Sequence, residues 1–329
     1  MKTLRASIII VSYNAKNDLA VCLRTIFEFT KTNFEIIVVD NASTDGSGEM
    51  VAKKFPKVKL IENRQNLGFA QANNLGAKIA QSDYLVLLNQ DTLVSRDWLL
   101  ELLAPFCQDK KIGIVQPKIK IYRKNQINST GSLTHFLGFT WAGNCFEPDC
   151  GFEKNAEIFS ASGCVLAIRR KLWQKLGGFD QDYFMYLEDV DLGWRTRLLG
   201  YKIIFAPKSI IYHKYHFSKG DYKYFYLEKN RLATLFKNYS SVSLLIFSPA
   251  IILSEFILLL YFIPKGKLKI KLRGLAAFFA SLPKIWQKRK KIQKTRKISD
   301  QKIFSQFSTT RQRGKIPWPV FPRIATLRR

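Results

Sequence analysis

Cysteines are scarce in this sequence, and their spacing argues against the structures that cysteines most often build. The chain has five among 329 residues, at positions 22, 107, 145, 150 and 164. The number is odd, and no two have the paired spacing of a zinc site. We therefore expect reduced thiols in a cytosolic setting rather than a disulfide framework. Cys145 and Cys150 are the one pair whose spacing suits a loop disulfide.

The sequence also lacks the glycine-rich loops of common nucleotide-binding enzymes. Residues 46–51, GSGEMV, have no third glycine and follow the second predicted strand, not the first as a dinucleotide-binding loop would. The VSYN segment of the first strand is not a phosphate loop, which disfavours a nucleotidyltransferase. No aromatic RNA-binding motif accompanies the basic residues, so we expect no nucleic-acid partner. A nucleotidyltransferase and a basic nucleic-acid-binding protein are kept as alternatives.

No export signal is recognisable in residues 1–14. Their apolar run is too short for the core of a signal peptide and ends in a polar turn without a small-residue cleavage site. The segment is interpreted as the first strand.

Acidic residues are few, 25 against 53 Lys and Arg, and the formal net charge is +28. Residues 264–329 hold 20 of the basic residues and one acid, Asp300, so this segment carries +19 and the rest is only mildly basic. The remaining acids include groups at the ends of predicted strands and at the start of one helix. This pattern suggests a metal-bound diphosphate beside a general base.

Short apolar runs rich in Ile and Val predict buried strands at 7–14, 34–40, 58–63 and 83–89. Helical spacing of apolar residues between them predicts an α/β fold with a mostly parallel sheet and right-handed crossovers. Ligands of such sheets bind outside the carboxyl ends of the strands, where Asn14, Asp40 and Asp91 fall.

The second half is less regular. Residues 124–154, with scattered glycines, predict a long excursion over the active face. A strand at 159–168, a helix at 170–176, a turn at 177–180, a helix at 188–199 and strands at 201–206 and 210–213 follow.

Several motifs, in this order, carry a resemblance: VSYN, VVDNASTDGS, NLGFAQANNLG, LLNQD, GGFD, YLEDVDLGWR and a later YH. Residues 5–235 resemble the inverting glycosyltransferases of family 2, especially the rhamnosyltransferase-like bacterial branch. The resemblance implies an A-type glycosyltransferase (GT-A) fold, a nucleoside-diphosphate sugar donor and a divalent cation, Mg or Mn.

Breaking the bond between a sugar and a diphosphate requires a cation that neutralises the leaving group. Asp91 is the expected metal ligand. The resemblance places Asn89, which would contact the donor, at the first position of the family's Asp-x-Asp motif, and matches His213 to a late histidine that serves as a metal ligand in some members. Alternatively, Asn89 and Asp91 only shape a turn before a helix at 96–106, and His213 has a structural role.

The resemblance also assigns the nucleoside contact to Asp40, with Asn41 and Asp45 in the loop around it. Tyr13 and Asn14 are expected to line the base pocket. The alternatives are a capping role for Asp45 and an ordinary strand-end turn for Tyr13 and Asn14.

An inverting transfer needs a general base and no enzyme nucleophile. Glu188, Asp189 and Asp191 compete for this role, and the resemblance favours Asp189, with Glu188 second. Acids at a helix N-terminus also stabilise the helix dipole. Asp191 and Arg195, four apart, are expected to pair on the helix surface.

Gly178, Phe179 and Asp180 resemble the family's acceptor-side turn. A glycine pair after a helix is also an ordinary stop signal.

Residues 241–263 are 23 residues long and overwhelmingly apolar, with Pro249 and Glu255 within them. They are long enough to span a bilayer, but a single span would place the +19 segment outside the cell. An interfacial or re-entrant helical hairpin on the cytoplasmic side is favoured, and a single transmembrane helix within 241–263 is the alternative. The basic set Lys265, Lys267, Lys269, Lys271 and Arg273 is expected to meet anionic headgroups.

The expected domains are a catalytic domain at 1–238, membrane-associated helices at 239–298 and a poorly ordered basic tail at 299–329. A chain without residues 241–329 is expected to stay soluble and bind nucleotide sugar. The expected function is transfer of a sugar, with rhamnose as first choice, to a cell-surface glycan or lipid-linked acceptor.

Overall fold

The structure, a computed structural model, describes residues 6–215 and 220–307. Its strands are β1 (Ala6–Ser12), β2 (Phe34–Asp40), β3 (Lys59–Glu62), β4 (Tyr84–Asn89), β5 (Thr92–Val94), β6 (Ile112–Ile121), β7 (Ile127–Ser129), β8 (Ser132–Thr134), β9 (Thr140–Ala142), β10 (Ala156–Glu157), β11 (Val165–Arg169) and β12 (Lys202–His213). Its α-helices are α1 (Lys16–Phe29), α2 (Ser47–Lys54), α3 (Gly68–Ile79), α4 (Trp98–Leu103), α5 (Pro105–Gln108), α6 (Arg170–Leu176), α7 (Glu188–Leu198), α8 (Asp221–Asn238), α9 (Ser241–Phe262), α10 (Leu268–Thr295) and α11 (Asp300–Phe304).

Ten of these strands form one mixed sheet in the order β10-β12-β6-β11-β4-β1-β2-β3, with β5 beside β12 and β7 beside β6. Strands β3, β2, β1 and β4 are parallel neighbours, and β6 is parallel to β12. Strand β11 lies antiparallel between β4 and β6. The expected α/β fold with its parallel strands is confirmed.

The strands are apolar along their length because helices cover both faces of the sheet. Ile8 and Ile10 pack with α1, α2 and α4 on one face. Ile9 packs with α3, α6 and α7 on the other. Trp173 and Trp194 are buried core residues. All five cysteines are free, as expected, and Cys145 and Cys150 form no disulfide.

Three element boundaries differ from the sequence-based prediction. The strands expected at 201–206 and 210–213 are one strand, β12, with a register shift between Ala206 and Ile210 that accommodates Pro207, which has no N–H to donate. The helix expected at 96–106 is divided into α4 and α5 at Pro105. The strand expected at 159–168 begins at Val165, because the N–H groups of residues 162 and 163 bond to side chains instead of a neighbouring strand.

The C-terminal helices share a third apolar cluster with the catalytic part. Leu232 and Leu235 of α8 pack with Phe278 and Ile285 of α10 in this cluster. Helix α11 and Phe307 add to it, so the expectation of a poorly ordered tail from residue 299 is wrong for 299–307. These residues are ordered because Ile303 and Phe307 are buried there. The rest of the expected tail, 308–329, lies outside the described residues.

A buried ion-pair cluster joins the three long C-terminal helices. Lys271 of α10 lies 2.5 Å from Glu255 of α9 and 2.6 Å from Glu228 of α8. Arg231 of α8 pairs with both glutamates. Lys271 is 1% exposed, so its expected headgroup contact is wrong. The buried glutamates attract it inward, because a buried charge is stable only when paired.

The boundary expected at residue 238 therefore does not divide two independent units. Helix α8 packs along α10, and Arg289 of α10 donates hydrogen bonds to the Phe236 and Tyr239 carbonyls. Removing residues 241–329 would expose the apolar face of α8 and leave Arg231 and Glu228 without Lys271 and Glu255. The expectation that this truncated chain remains soluble and competent is not compatible with these contacts.

Within the described residues, α9 is the one helix long and apolar enough to cross a membrane. Its large exposed apolar side chains, and that of Ile263 directly after it, lie mostly at helical spacing along one face: Val242, Leu245, Ile246, Ile252, Leu253, Phe256 and Leu260. Helix α10 has its own exposed apolar stripe, which comprises Leu272, Phe279 and Trp286.

Candidate active site

The carboxyl ends of β1, β2 and β4 meet at one edge of the sheet. Ser12 pairs with Asp40, and Val11 pairs with Asn89. The donor-binding residues expected from the sequence therefore lie at one edge.

The loop after β2 is tied to the end of β1. Asp40 is buried and accepts hydrogen bonds from the backbone N–H and hydroxyl of Ser43, at 3.2 and 2.5 Å. The Asn14 N–H donates to the same hydroxyl at 3.0 Å, and its Oδ1 accepts from the Thr44 N–H at 2.8 Å. Tyr13, next to Asn14, is 47% exposed. Its ring is available at the mouth of the site.

Asn41 and Asp45 brace this loop rather than line an open pocket. Asn41 is buried, and its Oδ1 accepts from the Asn63 side chain and the Leu67 N–H, both at 3.0 Å. Asp45 accepts hydrogen bonds from the Ser47 hydroxyl and N–H and from the Lys16 N–H, at 2.5, 3.0 and 2.8 Å. Burial by itself would raise the pKa of Asp45, but these hydrogen bonds outweigh it and lower the pKa. The capping role considered for Asp45 is what its contacts show.

Asp91 and His213 face each other across the end of the sheet. His213 Nε2 lies 3.3 Å from Asp91 Oδ2, and its Nδ1 lies 2.9 Å from Asn128 Oδ1. Burial alone would lower the pKa of His213, but its interactions with Cys164 and Asp91 raise it to about 11. Asn128, in the irregular segment 124–154, orients the ring, and no motif in the sequence indicated it.

The donor set at this point fits a shared divalent cation. Asp91 offers a carboxylate oxygen, and His213 offers a ring nitrogen once a cation displaces the proton from Nε2; the two atoms lie 3.3 Å apart. The described residues contain no group of three or more His, Cys, Asp or Glu side chains that could enclose a metal. A cation held here would depend on oxygens of a bound diphosphate for its remaining ligands. Asn89, the last residue of β4, is partly exposed.

The first turn of α7 holds three acids with different surroundings. Asp189 is partly exposed and accepts hydrogen bonds from the Gly163 and Val190 N–H groups, at 2.7 and 2.8 Å. Burial raises its pKa, although these two bonds oppose the shift. A raised pKa makes a carboxylate a better proton acceptor near neutral pH.

Glu188, in contrast, points into the protein. It is buried, and its Oε2 has no hydrogen-bond partner in the described part of the chain. Burial, and then the charge of Asp189, raise its pKa well above the ordinary value. Glu188 therefore keeps its proton at pH values where an ordinary glutamate is ionised.

Asp191 belongs to a buried network. It is fully buried and lies 2.8 Å from Arg195 Nε and 3.0 Å from Lys237 Nζ. Burial opposes its ionisation, but Arg195 and Lys237 hold its pKa below the usual range. The pair with Arg195 was expected on the helix surface, and that is wrong: the helix turns this face toward α8.

Helix α3 positions the expected acceptor-side turn, Gly178 to Asp180, through hydrogen bonds. Asn74 of α3 bonds to both the N–H and the carbonyl of Phe179, at 2.9 Å each. Gly178 has φ +71°, and a Cβ there would lie 2.3 Å from Asn74 Oδ1. The Phe179 ring is 2% exposed, so the expected acceptor contact cannot come from it. The ring is buried because it packs against Phe69 and Trp173.

Asp180, the third residue of this turn, forms ion pairs with two lysines. Lys237 lies 2.5 Å from its Oδ2, and Lys288 of α10 contacts its Oδ1. The sequence did not indicate either lysine, because both lie far along the chain in helices without a motif.

The segment before α7 is strained, and we call residues 183–187 the base loop. Phe184, Tyr186 and Leu187 have positive φ angles of 59°, 67° and 67°. Each such residue costs about 1 kcal/mol or more. The Phe184 carbonyl accepts from the Ala70 N–H at 3.1 Å, and a Cβ on Gly68 would lie 2.5 Å from the Phe184 ring. The glycine of NLGFA thus lets the base loop approach α3.

Comparison with known proteins decides the family. Residues 7–177, half of the chain, match the model of glycosyl transferase family 2. The chain belongs to glycosyltransferase family 2. Residues 145–219 of this glycosyltransferase also match the N-terminal domain of galactosyltransferase.

Curated relatives of this glycosyltransferase include a rhamnosyltransferase and a polysaccharide synthase. It is 26% identical over 238 residues to the N-acetylglucosaminyl-diphospho-decaprenol L-rhamnosyltransferase of Mycobacterium tuberculosis, covering 65% of this chain and 78% of that protein. It is 23% identical over 206 residues to the poly-beta-1,6-N-acetyl-D-glucosamine synthase of Staphylococcus epidermidis, covering 62% of this chain and 48% of the synthase.

Solved structures show the same fold. GalNAc-T7 with UDP, GalNAc and Mn2+ superposes with a TM-score of 0.56 at 21% identity, over 66% of this chain and 44% of that one. The mannosyltransferase PcManGT of Pyrobaculum calidifontis, with GDP-Man and Mn2+, gives 0.53 at 22% identity, over 84% and 75%. The expected family and GT-A fold are confirmed.

The neutral state of Glu188 gives a test by pH. In the unfolded chain Glu188 ionises above about pH 4.5, whereas in the folded protein it stays protonated to a much higher pH. Folding at pH 7 therefore binds a proton, and stability falls as pH rises through this window. Glu188→Gln removes the titrating group and with it this loss of stability. The free energy of unfolding of the variant, relative to wild type, should therefore rise by up to about 1.4 kcal/mol per pH unit above pH 4.5.

Urea unfolding at pH 4.5 and 7 measures this difference. Glu153→Gln, at an exposed position, is the matched control and should show no growing gain. A Glu188→Gln gain that is the same at both pH values would show that Glu188 is ionised in the folded protein.

Proposed function

We propose that this glycosyltransferase moves a sugar from a nucleoside diphosphate to a lipid-linked glycan acceptor, with inversion, at the cytoplasmic face of the membrane. One observation supports the proposal above all. The Asp91–His213 pair lies along the same edge of the sheet as the strand ends that bear Asp40 and Asn89. Asp189 lies beside Gly163, just before β11. Rhamnose is the proposed sugar and a polyprenyl diphosphate glycan the proposed acceptor. Both follow from the name of the mycobacterial relative.

In the proposed reaction Asp189 accepts the proton of the acceptor hydroxyl as that oxygen bonds to the anomeric carbon of the donor. The bond between this carbon and the diphosphate oxygen breaks in the same displacement, so the configuration inverts and no enzyme nucleophile is needed. Glu188, being neutral, adds no charge that would compete for the proton. Asp40, Tyr13 and Asn14 are the proposed nucleoside contacts.

The proposed cofactor is Mg2+ or Mn2+, held by Asp91 and His213 and by the diphosphate. Such a cation neutralises the charge that develops on the leaving diphosphate. Both structural neighbours named above are complexes with Mn2+. Asn89 offers a neutral oxygen where the family's motif has a carboxylate, so metal affinity should depend strongly on the nucleotide.

We further propose that α9 lies in the membrane interface rather than across the bilayer. Glu255, two thirds of the way along α9, pairs with Arg231 of α8 and Lys271 of α10. A perpendicular span would place this charged cluster, and α8 beside the catalytic domain, at the depth of the lipid tails. A helix in the interface buries its exposed apolar face in the membrane, while the charged cluster remains buried between the protein's helices.

Absence of a nucleic-acid partner stays a prediction.

Asp189→Asn tests the general base. The amide cannot accept the proton, so kcat should fall about 10²- to 10⁴-fold. The affinity for a nucleoside diphosphate, measured by calorimetry, should stay nearly unchanged. Glu188→Gln should be milder, because the amide resembles the neutral acid. If Glu188→Gln proves the more severe change, the base is Glu188.

Asp91→Asn tests the metal site. Without the carboxylate the variant should bind Mn2+ weakly in the presence of nucleoside diphosphate, as read from the electron paramagnetic resonance signal of free Mn2+. Sugar transfer should also be abolished. Asp97→Asn, six residues along and exposed, is the control and should bind Mn2+ as wild type does. Full wild-type activity in excess chelator would contradict the metal requirement.

Vesicle sedimentation tests the membrane surface. Replacing the exposed residues Lys265, Lys269 and Arg273 with Gln should weaken binding to anionic vesicles about 100-fold at low salt, since each contributes about 1 kcal/mol. The matched control replaces three exposed lysines at and after the end of α2, Lys53, Lys54 and Lys57. Equal loss in both variants, or equal loss on neutral vesicles, would reject the headgroup contact.

A further inference from the structure

The base loop is bonded to α8 more extensively than to the helix that it precedes. Asn230 Nδ2 lies 3.0, 3.0 and 2.8 Å from the carbonyl oxygens of Tyr183, Met185 and Tyr186. The Tyr183 hydroxyl lies 2.6 Å from Thr234 Oγ1, one turn further along α8. Asn230 is 1% exposed, so water does not compete for these bonds.

These bonds answer a need that the loop conformation creates. With Phe184, Tyr186 and Leu187 at positive φ, the Met185 and Tyr186 carbonyls bond to the Asn230 side chain, and Leu187 is the first loop residue whose carbonyl joins the hydrogen-bond ladder of α7. A buried carbonyl without a donor is costly. The two hydrogens of the Asn230 amide suffice for the Met185 and Tyr186 carbonyls, while the Tyr183 carbonyl also accepts from the Met185 N–H at 2.6 Å. A carboxylate would repel the same oxygens, and a hydroxyl could donate only one hydrogen.

The base loop ends at Leu187, and the proposed base Asp189 is two residues further on. The backbone of Leu187 sets where α7 begins, since the Asp191 N–H donates to the Leu187 carbonyl at 3.0 Å. A loop that relaxed to ordinary negative φ angles would rotate the start of α7 and move the Asp189 carboxylate from the Gly163 N–H. Misplacement of a catalytic group by about 1 Å can cost about 100-fold in rate.

We propose that Asn230 is a positioning residue of the transfer reaction: through carbonyls of the base loop it holds the strained backbone that presents Asp189 to the acceptor. The inference rests on the proposed role of Asp189 as base. Asn230 itself touches neither substrate, so its effect falls on the chemical step and not on donor binding.

Asn230→Ala in the full chain tests this positioning. We expect kcat to fall at least about 30-fold, the KM for donor and the affinity for UDP, GDP or dTDP to change less than about 3-fold, and hydrogen exchange to accelerate in residues 183–189. Leu232→Ala, a buried residue of the same helix that lacks side-chain polar atoms, is the control for lost packing and should keep kcat within about 3-fold. Asn230→Gln retains the amide and should recover part of the lost rate.

Loss of the positioning role of Asn230 and absence of sugar transfer give different results in these experiments. A kcat loss in Leu232→Ala as large as in Asn230→Ala, at equal melting temperature, would reduce Asn230 to a structural role. Unchanged kcat, or unchanged exchange in residues 183–189, would overturn the inference while the proposed function stands. Should wild type transfer no sugar from any nucleotide donor, the proposed function fails, and the exchange experiment still reports on the loop. If Asn230→Ala does not fold, the same comparisons are made with Asn230→Gln.

Discussion

One buried lysine supports the geometry of the candidate site. Lys237 of α8 is 1% exposed and lies 2.5 Å from Asp180 and 3.0 Å from Asp191. It thereby joins the turn before the base loop to the helix after it, and both to the C-terminal helices. Removing one partner of such a buried pair costs about 3–5 kcal/mol, because an uncompensated charge remains. The C-terminal helices are therefore part of the catalytic structure as well as the region that carries the apolar face.

The three acids at the start of α7 show how surroundings assign different states to similar side chains. Asp191 is ionised because Arg195 and Lys237 pair with it, Glu188 is neutral because it is buried without a cation, and Asp189 lies between these extremes with two backbone N–H donors. A negative charge in the first turn favours the helix dipole, but three adjacent charges would repel one another. Burial of Glu188 in its neutral form and pairing of Asp191 relieve that repulsion and leave Asp189 as the acid that can exchange a proton with a ligand.

Much of the fold was predictable, because buried parallel strands produce continuous apolar runs and the family's motifs mark their carboxyl ends. The sequence could not show that Asp191, Lys271 and Phe179 are buried, since each depends on contacts with residues more than 40 positions away or across the fold. Nor did it indicate Asn128, Asn230 or Lys237, which lie outside the motifs that the resemblance rests on. Their roles come from hydrogen bonds to backbone carbonyls and distant side chains, for which local sequence has no signal. The boundary expected at residue 238 follows a change in composition, whereas Leu232 and Leu235 before it pack with Phe278 and Ile285 after it.

Helix α8 holds the base loop and α7 in place through buried polar contacts. Hydrogen exchange of Lys237→Met in the full chain tests it most directly, with Lys175→Met, an exposed lysine, as control. We expect faster exchange across residues 180–198 in Lys237→Met, with β1 and β2 protected as in wild type, and no change in the control. Wild-type protection of α7 and the base loop in a folded Lys237→Met protein would contradict it.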